Sequence, residues 1–164
     1  MTLPGYRLIN LLGLAGCAVA TAFALYLQYG EGLEPCPLCI LQRVAVFAAA
    51  AVLLAAILHN PGRAGQRGYA GLGLLAALGG LAVAGRHVWL QHLPPERVPA
   101  CGPGLDYMLE VFPFRDAMAM VLSGSGECAV VDWTFLGGSL AEWTALVFVG
   151  LAVLFLFQLL RRDA

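Results

Sequence analysis

Four apolar stretches, residues 8–29, 40–58, 69–90 and 140–160, dominate the pattern of the chain. Each runs about 19–22 residues, or about 30 Å as helix, which matches the hydrocarbon core of a bilayer. Polar positions collect between them in a short acidic loop at 30–39, a turn at 59–68 and a long loop at 91–139. The pattern predicts an all-α membrane protein, a four-helix transmembrane bundle forming one domain over 1–164. Gly71, Gly73, Gly79, Gly80 and Gly85 allow the third helix close approach to its neighbours. Ser139 and Glu142 predict a capping box opening the fourth. In the long loop, residues 105–111 and 117–122 suit short helices lying on the bilayer, anchored by Met108, Leu109, Phe112 and Phe114. Tyr26, Trp89, Trp133 and Trp143 are expected as interfacial aromatics.

Composition agrees. Hydrophobic residues make up 60% of the chain and charged ones 12%, with a mean hydropathy of +0.81, too little polar surface for a soluble domain of 164 residues. The net charge of −1 says little, but charge placement sets orientation. Every basic residue is arginine: Arg7 precedes the first span, Arg63 and Arg67 follow the second, and Arg161 and Arg162 follow the fourth. Acids gather in the other two loops, from Glu31 and Glu34 to Asp132, with Glu142 at the start of the fourth span. The positive-inside rule therefore predicts cytoplasmic termini, with the 30–39 and 91–139 loops on the far side. Leu14-Ala15-Gly16-Cys17 looks like a lipoprotein cleavage signal, but the apolar run continues through residue 27, longer than a signal peptide's core. Cys17 is read instead as a small residue in a helix interface. There is no phosphate-binding glycine loop, no Ser/His/Asp set and no basic surface for nucleic acid.

The remaining cysteines all lie in the far-side loops, an even set where disulfides persist. Pro35-Cys36-Pro37-Leu38-Cys39 places proline where a helix begins, so Cys36 is expected as the N-cap and Cys39 in the first turn. The helix dipole there favours a thiolate, and Arg43, four residues on, lies on the same face. Haem attachment is excluded because Ile40 follows Cys39. Zinc would usually want a second close pair, whereas Cys101 and Cys128 are far apart in sequence. That spacing suggests a loop-closing disulfide, either structural or able to open. Pro94, Pro95, Pro99 and the joint Ser123-Gly124-Ser125-Gly126 favour one that opens. Arg43, Arg86 and His87 share a depth near the outer helix ends, where ionisable residues are costly. Together they suit the carbonyl oxygens of a lipid-soluble two-electron acceptor beside Cys39, such as a quinone.

These features resemble the DsbB family over essentially the whole chain: four spans, CPLC at 36–39 followed by Arg43, and His87 ahead of Cys101. The likeness extends to Ser125-Gly126-Glu127-Cys128 and to Trp133-Thr134-Phe135-Leu136-Gly137. The resemblance implies a protein-disulfide:quinone oxidoreductase of the bacterial inner membrane, its redox cysteines periplasmic. Its partner would be a DsbA-like thioredoxin-fold oxidase and its acceptor ubiquinone or menaquinone. Cys101 would be the sulfur attacked by the reduced partner and Cys128 its mate. Cys128 would then attack Cys36, and Cys39 would face the quinone, held by Arg43 and His87. The alternative from another class is a non-enzymatic membrane protein using its cysteines for metal binding or structural disulfides.

Overall fold

A computed structural model describes residues 5–102 and 105–161; Arg162, one of the arginines used for orientation, lies outside them. Among the described residues four helices are long and apolar enough to cross a membrane: α1 (Tyr6–Tyr29), α2 (Pro37–His59), α3 (Arg63–Gln91) and, after the long loop, α6 (Leu140–Leu160). Two short helices, α4 (Leu105–Val111) and α5 (Phe114–Ser123), occupy the loop. They are followed by a hairpin of β1 (Thr134–Phe135) and β2 (Gly138–Ser139). Leu136 and Gly137 form its two-residue turn, both at positive φ as such a turn demands.

Local chemistry sets the helix ends. Cys36 caps α2, its sulfur accepting the Cys39 backbone N–H at 3.4 Å, with Pro37 at the first helical position. Asn60 closes α2 in the left-handed conformation, which asparagine tolerates, and Pro61 prevents continuation. The capping box expected at Ser139 and Glu142 is present: Ser139 Oγ accepts the Glu142 N–H, and Glu142 accepts the Ser139 N–H at 2.7 Å. Helix α3 begins at Arg63, ahead of the apolar stretch, since the Asn60–Gly62 turn is short and arginine propagates a helix well.

The core joins all four spans, with Cys17 of α1 and Val46, Ala49 and Leu53 of α2 packed against a seam between α3 and α6. The buried positions of α3 run Ala70, Gly73, Ala77, Gly80, Ala84 and His87, alternately three and four apart, and end at Leu90. Phe148, Leu151 and Phe155 answer them from α6 with the same spacing. Such a repeat keeps one face against one neighbour. Gly73 receives the Phe155 ring and Gly80 the Phe148 ring, each where a Cβ would stand. We predict that Gly80→Val destabilises the bundle by about 1–3 kcal/mol through overpacking. Thermal unfolding in detergent reads this, and an unchanged midpoint would contradict the packing.

Helices α1 and α6 meet at the end carrying the termini. There Gln158 Nε2 donates to Asn10 Oδ1 at 3.0 Å, both residues buried, and Gly13 faces Leu154. Towards the cysteine end a cavity opens between α1, α2 and α6.

The long loop corrects two expectations. Met108 is not a bilayer anchor: it is 2% exposed and packs with Ala117, Val121 and Leu41, because it lies on the face of α4 turned to α5 and α2. Phe114 and Leu109 do point outward. The Ser123–Gly126 joint is packed rather than open. Ser125 and Gly126 are buried, and Gly124, at φ 81°, lies where any Cβ would meet Leu90.

Candidate active site

The first turn of α2 presents the dithiol. Cys36 Sγ and Cys39 Sγ stand 3.1 Å apart, so an approach of about 1 Å would close a disulfide. Both are free thiols here, as are Cys101 and Cys128. His87, 4% exposed, enters from α3 with Nε2 at 3.8 Å from Cys36 Sγ and Nδ1 at 4.0 Å from Cys39 Sγ. Its orientation is held by Gln42, also buried, whose Nε2 lies 3.1 Å from His87 Nδ1. With the amide nitrogen donating, Nδ1 accepts, and the ring proton sits on Nε2 facing Cys36.

Gln42 was not singled out in the sequence. A lone amide beside Arg43 inside an apolar run was the signal available, since polar groups within a span seldom lack a task. The ligand atoms of Cys36, Cys39 and His87 all lie within 4.8 Å of one another. The histidine donor arrives from another helix, which the spacing of the cysteines does not show.

Cys128 comes to the same place. It sits in a 3-10 turn, Gly126–Ala129, fully buried with Leu38 and Leu90 and packed against Cys36. Its hydrogen bond to Cys36, reinforced by burial, pushes its thiol far above the usual range. Cys101 is exposed, and its segment is held to this turn by the Gly126 N–H donating to the Ala100 carbonyl at 3.2 Å. Its sulfur lies 3.2 Å from where a Gly126 Cβ would stand. The structure thus joins Cys128 to Cys36 and leaves Cys101 beside them at the surface.

A consequence is a split in reactivity. Because thiolate is the nucleophile, alkylation of Cys128 in the reduced protein should be slow at neutral pH. It should climb about tenfold per pH unit from roughly pH 7 to 10 without a plateau. Cys101 should react first. Site-resolved mass spectrometry of a timed alkylation checks both, and equal rates at the two cysteines would contradict the burial of Cys128.

Cys36, Cys39, Gln42, Arg43 and His87 all line the cavity, whose volume is about 1020 Å³. Its wall is otherwise largely apolar, with Val19, Ala20, Phe23, Ala24 and Leu27 of α1 facing Leu140, Thr144 and Val147 of α6. Arg43 reaches across to α1, donating from Nη1 to Gln28 Oε1 and from Nη2 to the Ala24 carbonyl at 3.1 Å. An aromatic series spans the opening: Phe23 meets Trp133 edge-on at 5.4 Å, Trp133 stacks on Phe135 at 6.0 Å, and Phe135 leans on Trp143 at 6.1 Å. Trp143 Nε1 ties the series together by donating to the Phe135 carbonyl at 3.0 Å. Trp133 and Trp143, expected at the interface, are therefore also cavity wall.

Arg86 does not join the site. Its guanidinium donates to the Ser123 carbonyl at 2.8 Å and lies 4.2 Å above the Trp89 ring. One residue along a helix turns a side chain by about 100°, so Arg86 and His87 cannot share a target.

A family model described as "Disulfide bond formation protein DsbB" matches residues 6–158. A protein of Methylococcus capsulatus named Disulfide bond formation protein B is 56% identical over 158 residues, covering 96% of this chain and 96% of its own. Its namesake in Chromohalobacter salexigens is 58% identical, over 91% of this chain and 86% of its own. The Acinetobacter baumannii namesake is 53% identical, over 95% and 92%. With four apolar helices and a dithiol at the mouth of their cavity, the chain belongs to the disulfide bond formation protein DsbB family.

Proposed function

We propose that this chain re-oxidises a soluble DsbA-like dithiol oxidase and delivers the electrons to a membrane quinone. The observation that carries the reading is the contact of buried Cys128 with Cys36, in a cluster whose other sulfur, Cys39, lines an apolar cavity containing Arg43. In the proposed sequence a thiolate of the reduced partner attacks Cys101 of a Cys101–Cys128 disulfide and Cys128 leaves. The partner's second thiol then displaces Cys101, so the partner departs oxidised. Cys128 attacks Cys36 of a Cys36–Cys39 disulfide, and the leaving electron pair comes to rest on Cys39. Cys101 restores its bond to Cys128 by displacing Cys36, leaving both electrons on the 36–39 pair. Exchange needs a thiolate and an open line of approach, so Cys128, buried and held protonated beside Cys36, must give up its proton before it attacks Cys36.

The cavity suits a quinone: an apolar wall for ring and tail, with the Arg43 guanidinium and His87 imidazole as donors for its oxygens. When bound, a quinone supplies a sink for two electrons and two protons. Arg43 would orient the ring and favour negative charge near Cys39, and His87 would hold or release a proton at Nε2. The arginines at the terminal end and the acids at the other support insertion in the bacterial inner membrane with the cysteines periplasmic. Acid-quench thiol trapping with a reduced DsbA-like partner tests the entry step. A mixed disulfide through Cys101 supports it, and trapping through Cys36 or Cys39 instead would overturn the order.

A further inference from the structure

We infer that the reduced form holds a redox-gated site for a thiophilic d10 cation, Zn2+, with Cys36 Sγ, Cys39 Sγ and one ring nitrogen of His87 as ligands. The three ligand atoms already lie within 4.8 Å of one another. Tetrahedral zinc, with Zn–S of about 2.3 Å and Zn–N of about 2.0 Å, needs S···S near 3.8 Å and S···N near 3.6 Å. The sulfurs here are 3.1 Å apart, Cys36 Sγ approaches Nε2 at 3.8 Å and Cys39 Sγ approaches Nδ1 at 4.0 Å. A single ring nitrogen serves both sulfurs, and the longer of its two edges lies within 4.8 Å, so no edge changes by more than about 1.2 Å to admit the ion. A ligating histidine is ordinarily held through its other ring nitrogen, and Gln42 is in place for that, 3.1 Å from Nδ1. Turned about, the same amide accepts from Nδ1–H and leaves Nε2 free for the metal. The cavity side leaves room for water at the fourth position, as in open zinc sites.

Binding moves no electrons. Two Zn–S bonds form as the two thiols release their protons to water, and the histidine contributes a lone pair. The same sulfurs joined in a disulfide cannot ligate, so the site exists only in the reduced state. An occupied site holds the dithiol reduced and blocks both the approach of Cys128 to Cys36 and the discharge of Cys39. This inference does not depend on the quinone reading, because zinc binding is measured with neither partner nor quinone present.

The test uses the full chain in detergent, reduced or oxidised, titrated with Zn2+ against a chromophoric chelator. The expected result is one zinc per reduced chain and at least 100-fold weaker binding by the oxidised chain. His87→Ala should weaken binding at least tenfold, and Cys101→Ser should leave it unchanged. Zinc should also protect Cys36 and Cys39, but not Cys101, from alkylation in the unaltered protein, a readout independent of whether a variant folds. Equal binding by both redox forms, loss on Cys101→Ser, or alkylation of Cys36 and Cys39 undiminished by zinc would each overturn the proposal.

Discussion

Cys39→Ser should abolish electron transfer to quinone, with a fall of about 10³-fold or more, while the Cys101 mixed disulfide with a reduced partner still forms. Only Cys39 combines the first-turn position of α2 with a place in the cavity wall four residues before Arg43. A serine hydroxyl neither forms the disulfide that is consumed nor carries the electron pair, and removing such a group usually costs most of the catalysis. Cys101 lies in a separate, exposed segment and keeps its chemistry. Stopped-flow quinone absorbance paired with acid trapping of the partner complex separates the two steps. Residual quinone reduction within tenfold of the unaltered protein would show that another sulfur discharges the electrons.

Arg43→Ala should raise the KM for quinone by about 10- to 100-fold with a smaller loss in kcat. That range corresponds to one charge-assisted hydrogen bond, about 1.5–3 kcal/mol. The guanidinium has a second duty in tying α2 to α1 through Gln28 and the Ala24 carbonyl. Arg43→Lys keeps the charge but not the planar fork, so it should recover only part of the loss. Steady-state kinetics over a quinone series, with thermal unfolding as a control, distinguishes binding from collapse of the α1–α2 contact. An unchanged KM in a folded Arg43→Ala protein would remove Arg43 from the quinone site.

What could be read in the chain beforehand divides by range of interaction. The Cys36 cap and the Ser139–Glu142 box were legible because each depends on residues within four positions. The four apolar helices were legible because bilayer thickness imposes their length. The facing of individual side chains was not. Met108 looked like an anchor until α4 docked on α5, and Arg86 looked like a partner of His87 until the turn of α3 separated them. The meeting of Cys128 with Cys36 and the support of His87 by Gln42 are tertiary contacts between distant segments, which no local spacing encodes.

The central claim is that thiol oxidation at the loop and quinone reduction at the cavity are one coupled reaction. Single-turnover mixing of quinone-loaded protein with a reduced DsbA-like partner under anaerobic conditions tests it most directly. The account predicts one quinol formed for each partner disulfide gained, with neither product accumulating alone. Partner disulfide appearing in full while the quinone stays oxidised would contradict it.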